Sequence, residues 1–148
     1  MNRRKMIQAL DKSLIEKAIQ DAERETMGEI RVSVAVFFWG SIRKVAERTF
    51  DRLGMTRTLL RNGVLLFVVP SRRRYHILCD SGIPDPVREE LTSRVSKILT
   101  GRFREGLFSS GLVEAVEETA LILKIVFPPD PDRNVNELPD EVDIDNGP

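Results

Sequence analysis

The chain has 148 residues, 41% hydrophobic and 31% charged, and its 23 basic and 23 acidic side chains bring the formal net charge to zero. That length suits one domain with a buried core, and the charge balance argues against nucleic acid as a partner. The single cysteine, Cys79, excludes an intrachain disulfide and points to a reducing compartment, and no apolar stretch reaches the roughly 20 residues that span a bilayer.

The charge is unevenly spread. From Asp130 to Pro148 there are seven acidic residues and one basic, which leaves 16 acidic and 22 basic before them. The chain therefore divides into a body over residues 1–129, at about +6, and an acidic tail over residues 130–148, at about −6, partly docked or disordered. Arg3, Arg4 and Lys5 make the N-terminus basic, but Gln8, Asp11 and Lys12 break up the apolar residues behind them, so it does not read as a signal peptide. A soluble, cytoplasmic protein with no membrane insertion is expected.

In chain order, Ser13-Leu14-Ile15-Glu16 fits a capping box, in which serine and glutamate satisfy each other's free backbone donors. Leu14, Ile15, Ala18, Ile19 and Ala22 follow at helical spacing and predict a first helix fading near Thr26-Met27-Gly28. Glu29 to Val36 alternates, with Ile30, Val32, Val34 and Val36 on one face of a strand and Arg31, Ser33 and Ala35 on the other. Phe37, Phe38 and Trp39 come next, and they serve either the core or an exposed contact surface. Gly40 breaks the strand, and Ser41 caps a second helix burying Ile42, Val45, Ala46, Phe50 and Leu53.

Val64–Val69 and Tyr75–Cys79 are β-rich runs joined by the polar turn Pro70-Ser71-Arg72-Arg73-Arg74, which predicts a hairpin. Strand, helix and strand from Glu29 to Val69 predict a parallel crossover of right-handed sense. A third helix is predicted to start at Asp85-Pro86, with Asp85 as cap, and to end by Gly101, with Val87, Leu91, Val95, Ile98 and Leu99 inward. A fourth begins after Ser109-Ser110, buries Leu112, Val113, Val116, Ala120, Leu123 and Phe127, and stops at Pro128-Pro129. In the tail, Val135, Leu138, Val142 and Ile144 offer apolar side chains for docking. The expected architecture is a small three-layer α/β sandwich. Its mixed sheet has a parallel strand–helix–strand crossover and an antiparallel hairpin strand, and about four helices flank it.

This topology carries the functional argument. Parallel pairing puts Glu29 and Asn62 at one end of the sheet, and the hairpin returns Asp80 to that end. Glu23 and Glu25 leave the first helix near the same edge, and Asp51 lies close to the end of the second. Carboxylates and amide oxygens without histidine or cysteine suit a hard cation, calcium or magnesium, better than zinc. The same residues also fit turn chemistry at Asn62-Gly63 and Ser81-Gly82, with Glu29 in an ion pair to Arg31 or Arg61. Arg72, Arg73 and Arg74 could grip phosphate or the acidic tail, or form a solvated turn. His76, the one histidine, sits among strand residues without a catalytic partner, and Cys79 fits a small buried residue. No phosphate-binding glycine loop, HExxH or serine nucleophile elbow is present.

Thr26-Met27-Gly28-Glu29-Ile30-Arg31-Val32, Leu53-Gly54-Met55-Thr56-Arg57-Thr58, Arg61-Asn62-Gly63-Val64-Leu65 and Asp80-Ser81-Gly82-Ile83 resemble the TPM-domain family in order and spacing. Phe103-Arg104-Glu105-Gly106 with Gly111-Leu112 continues the match. Phe127-Pro128 and Asn136-Glu137-Leu138-Pro139-Asp140-Glu141 resemble the ending of its short, soluble bacterial branch. The resemblance implies an α/β sandwich, a divalent-cation site and, from a plant thylakoid-lumen member, an acid-phosphatase activity. Other members are membrane-anchored or interact with protein complexes. Where the family has glycine before the aspartate matching Asp80, this chain has Cys79.

Two functions are consistent with these residues. In the first, a cation held by Glu29, Asn62 and Asp80 stabilises a chaperone-like or protein-binding module whose partners are other proteins. In the alternative, a metal-assisted acid phosphatase acts on phosphomonoesters, with Arg61 stabilising charge on the transferring group. The first is preferred because a cation site needs only oxygens, whereas catalysis needs positioned groups that the sequence does not reveal.

Overall fold

The computed structural model describes residues 3–132 and 138–146. Val135, Asn136 and Glu137 of the tail and its family-like ending lie outside them. In chain order the elements are α1 (Arg3–Gln8), α2 (Lys12–Glu25), β1 (Glu29–Ala35), α3 (Ile42–Arg52), β2 (Gly63–Val69), β3 (Arg74–Cys79), α4 (Asp85–Arg104), α5 (Phe108–Val126) and β4 (Asp143–Asp145). Short 3-10 turns at Met55–Arg57 and Pro70–Arg72 precede β2 and form the hairpin tip.

The sheet runs β3-β2-β1-β4. β1 and β2 are parallel, with Glu29 opposite Gly63 and Val34 opposite Val68. β3 returns antiparallel to β2, with Val64 opposite Cys79 and Val69 opposite Arg74. β1 is thus a central strand, buried at every position rather than on one face alone. Ile30, Val32 and Val34 join Val64, Leu66 and Val68 under α2, α4 and α5. Ala35, Leu65, Phe67 and Val69 pack under α3 with Ile42, Ala46, Phe50 and Met55. Two apolar layers on either side of one sheet make the three-layer sandwich. Each fully buried aliphatic side chain in them contributes about 2 kcal/mol.

The differences from the sequence reading lie at element ends. Asp11, not Ser13, caps α2, its carboxylate accepting from the Leu14 N–H at 3.0 Å. Asp85 is the first residue of α4 rather than its cap, and Pro84 holds the cap position. α4 runs through Gly101 to Arg104 because Phe103, one turn beyond Leu99, is also buried. α5 starts at Phe108, three residues before the serine-based expectation. α1 is an additional short helix with no buried residue, so it left no apolar stripe to read.

Two close approaches fix how the layers meet. A side chain at Gly28 would bring its Cβ within 2.6 Å of Leu123 Cδ1, so any larger residue there would force Leu123 of α5 to shift. Beside it, the Thr26 hydroxyl and the Met27 N–H both donate to the Phe127 carbonyl, at 2.5 and 3.0 Å, tying the end of α2 to the end of α5.

Tail residues also enter the fold. β4 pairs parallel to β1, with Ser33 opposite Asp143 and Ala35 opposite Asp145. Val142 is buried on the α2 side and Leu138 on the α3 side.

Candidate cation-binding rim

Glu29, Asn62 and Asp80 share the end of the sheet where β1 and β2 start and β3 finishes. The Glu29 N–H donates to the Asn62 carbonyl at 3.4 Å, and the Asp80 N–H donates to the Gly63 carbonyl at 2.9 Å. Glu29 and Asp80 therefore flank Gly63 from its two neighbouring chains, and Asn62 immediately precedes it. Proximity of the three follows from parallel pairing on one side of β2 and antiparallel return on the other.

Each side chain has a distinct setting. Asn62 is 1% exposed. Its Nδ2 donates to the Met27 carbonyl at 3.1 Å, while its Oδ1 is buried with no hydrogen-bond partner. A buried acceptor left unpaired costs free energy that a positive ligand would recover. Asp80 is 7% exposed and its carboxylate is already engaged. Arg61 Nε donates to Oδ2 at 2.7 Å, Arg61 Nη2 to Oδ1 at 2.8 Å, and the Ser81 N–H to Oδ1 at 2.7 Å. Glu29 is buried to the same extent. The sequence reading offered Arg31 or Arg61 as a partner for Glu29; Arg61 makes its bidentate pair with Asp80.

The backbone beneath this pair is tightly constrained. Arg61 adopts φ of 50°, the left-handed region that residues with a Cβ seldom enter. The Gly82 N–H donates to the Arg61 carbonyl at 2.7 Å, and a Cβ on Gly82 would collide with the Leu60 carbonyl oxygen. Only glycine fits there.

Other acidic residues do not extend the set. Glu25 pairs with Lys124 at 3.1 Å on the surface, and Asp51 is exposed. Among the described residues no three aspartate, glutamate, histidine or cysteine side chains gather as metal ligands. The donor chemistry still fits a hard cation: two carboxylates, an orphaned amide oxygen and nearby backbone carbonyls. A carboxylate offers about four lone-pair directions, so Arg61 does not exhaust Asp80.

The remaining residues singled out by the sequence take up structural positions. Burial, then the charge of Arg43, lowers the pKa of His76, which leaves it neutral at pH 7. Burial pushes the Cys79 thiol up to about 11, so it is no thiolate nucleophile. At the hairpin tip Arg73 Nε donates to the Phe103 carbonyl at 3.0 Å, and the Arg72 and Arg74 guanidinium groups lie 4.7 and 5.3 Å from the centre of the Phe38 ring. Of the aromatic trio, Phe38 is buried, whereas Trp39 is 72% exposed and meets Phe37 edge-on at 5.9 Å.

One cluster went unread in the sequence. Asp143 of β4 accepts from Arg52 Nη2 and the Ser33 hydroxyl at 2.8 Å each, and from Arg52 Nη1 at 3.3 Å. Burial alone would raise the Asp143 pKa. The bonds from Arg52 and Ser33, with the charges of Arg52 and Arg31, outweigh that and hold it below the ordinary aspartate range. The alternation Val142-Asp143-Ile144-Asp145 was the available signal.

No helix among the described residues is long and apolar enough to cross a membrane. No curated protein matches the chain. The NMR structure of the BA42 protein from the psychrophilic bacterium Bizionia argentinensis is similar to it, with a TM-score of 0.84 and 32% sequence identity over 90% of this chain and 91% of that one. The family model for the TPM domain matches residues 1–121, which include the whole rim from Glu29 to Gly82. The chain belongs to the TPM-domain family.

Proposed function

We propose that this protein is a divalent-cation-binding TPM module that works through contact with other proteins, and that Glu29, Asn62 and Asp80 hold the cation. The carrying observation is the Asn62 Oδ1, buried without a partner at the sheet end that also carries the buried residues Glu29 and Asp80. Calcium suits the site better than magnesium, because it accepts irregular sets of carboxylate, amide and backbone oxygens, whereas magnesium demands near-ideal octahedral geometry. Bound there, the ion ties the starts of β1 and β2 to the end of β3. The contact surface is Trp39 with Phe37, a large exposed apolar group at the opposite end of β1. Calorimetric titration with calcium, then magnesium, tests the cation: saturable binding should fall at least tenfold in Asn62→Leu. A chaperone-like role is tested separately by suppression of a client's aggregation, which Trp39→Ala should reduce while leaving cation affinity intact.

The alternative, a metal-assisted acid phosphatase, draws support from Arg61, whose guanidinium sits at the rim where it could stabilise charge on a phosphoryl group. A cation at the rim would add further charge stabilisation. The same guanidinium already uses Nε and Nη2 on Asp80, and His76 and Cys79 are suited neither as acid nor as nucleophile. Hydrolysis of an aryl phosphate that depends on calcium and disappears in Asp80→Ala would favour this alternative. Equal turnover by both proteins would remove it.

A further inference from the structure

We infer that the edge of β1, with Arg31, Ser33 and Arg52 beside it, is a docking groove for an extended acidic peptide from another protein, and that Asp143–Asp145 is its resident occupant. This rests on the reading of the chain as an interaction module and adds to the Trp39 surface a second one, with the kind of partner it takes.

The groove recognises a strand in two ways. Backbone pairing along β1 includes the Val36 N–H donating to the Asp145 carbonyl at 2.9 Å, which any extended segment could accept. Side-chain recognition falls on the acid at position 143, gripped by Arg52 through two nitrogens and by the Ser33 hydroxyl. The next residue, Ile144, packs against the α2-side core, as does Val142. The pattern read by the groove is therefore aliphatic, acidic, aliphatic.

The resident tail does not satisfy what the groove offers. Arg31 is 7% exposed, its Nε is buried with no hydrogen-bond partner, and Asp143 reaches it only as a nearby charge. A buried guanidinium N–H left without an acceptor is costly. An occupant with a longer or second acidic side chain would relieve that cost, so the site favours a partner over its own tail. The resident strand is also short. β4 is three residues long, and residues 127–142 connect it to α5 with no helix or strand among those described. Tethering adds a high effective concentration to the contacts that hold the tail in the groove.

A labelled peptide of residues 138–146, added to the full chain, tests this. Asp143→Lys opposes both arginines and should release the tail in cis, and Asp143→Asn is the milder variant that guards against misfolding. Release is read independently as faster hydrogen exchange at the Val36 amide. The peptide should bind Asp143→Lys at least tenfold more tightly than the wild type, and Arg52→Ala in that background should abolish binding. Equal affinity for wild type and both variants, or binding indifferent to Arg52, overturns the inference, as does a Val36 amide that stays protected in both. Displacement of the peptide by inorganic phosphate or an oligonucleotide at lower concentration would reassign the groove to a phosphate ligand. A wild-type dimer in sedimentation that dissociates with Asp143→Lys would reassign it to tail exchange between copies. Glu29, Asn62 and Asp80 take no part in this measurement, so its failure leaves the cation reading standing, and loss of cation binding leaves this one standing.

Discussion

Two of the arginine–aspartate pairs on this molecule, each joining residues distant in sequence, do opposite jobs. Arg61–Asp80 and Arg52–Asp143 share a half-exposed arginine, a mostly covered carboxylate and bonds as short as 2.7 and 2.8 Å. The first joins residues 19 apart, at the two ends of a hairpin that strand pairing already closes. The second spans 91 residues and secures a three-residue strand. A similar bond is thus a local brace in one place and a detachable clasp in the other. What differs is how much of the surrounding backbone would have to move to break it.

The sharpest way to break the comparison is at Gly82. Adding a methyl there drives it into the Leu60 and Arg61 carbonyls, so Gly82→Ala should destabilise the whole fold by about 3 kcal/mol in urea unfolding. No variant of the tail should do this. Asp143→Ala should instead cost about 2 kcal/mol, expressed as faster exchange at Val36 and Val142 with the core amides unchanged. A comparable loss of protection in β2 would make the tail part of the cooperative core and erase the distinction. Arg31→Met should move the other way. Replacing a side chain whose buried Nε has no acceptor by an apolar chain of similar length should raise stability by about 1 kcal/mol while weakening peptide binding in the groove.

The smallest effect expected is on pH, and it has two signs. Asp143, held below its ordinary pKa, supports docking above about pH 3.9 and loses that support as pH falls through its docked value. Asp140 is shifted up, first by burial and then by the Glu16 carboxylate, so taking up its proton as pH falls from neutral favours docking. Arg52, Arg31, Asp145 and Glu16 are the charged groups facing this strand. Tail protection should therefore pass through a shallow maximum near pH 4 rather than fall steadily from neutrality. Hydrogen exchange at Val36, corrected for its intrinsic pH dependence, measures it.

What was legible in the sequence divides along the same line as the two pairs. The alternation at Ile30, Val32 and Val34 and the runs either side of Pro70 were enough to derive three of the sheet's four strands, and with them the backbone proximity of Glu29, Asn62 and Asp80. Long elements with strong apolar periodicity carry their own signal. Which carboxylate Arg61 would choose was not legible, because Glu29 and Asp80 are both near it once the sheet forms and only side-chain geometry decides. The clasp was hidden for a different reason. A strand of three residues inside an acidic tail competes with a strong compositional signal for disorder, and Arg52 and Ser33 are ordinary residues until Asp143 arrives. The buried setting of Arg31 was invisible because the strand reading placed it on the polar face, and that face is covered by α3 and the tail.

The central claim, that the rim holds a cation, is tested most directly by titrating calcium into the full-length protein and following backbone amide resonances. Saturable shifts centred on Glu29, Asn62, Gly63 and Asp80, with the tail amides unmoved, are the predicted result. Shifts confined to the acidic residues between Asp140 and Asp145, with the rim unchanged at saturation, would contradict it.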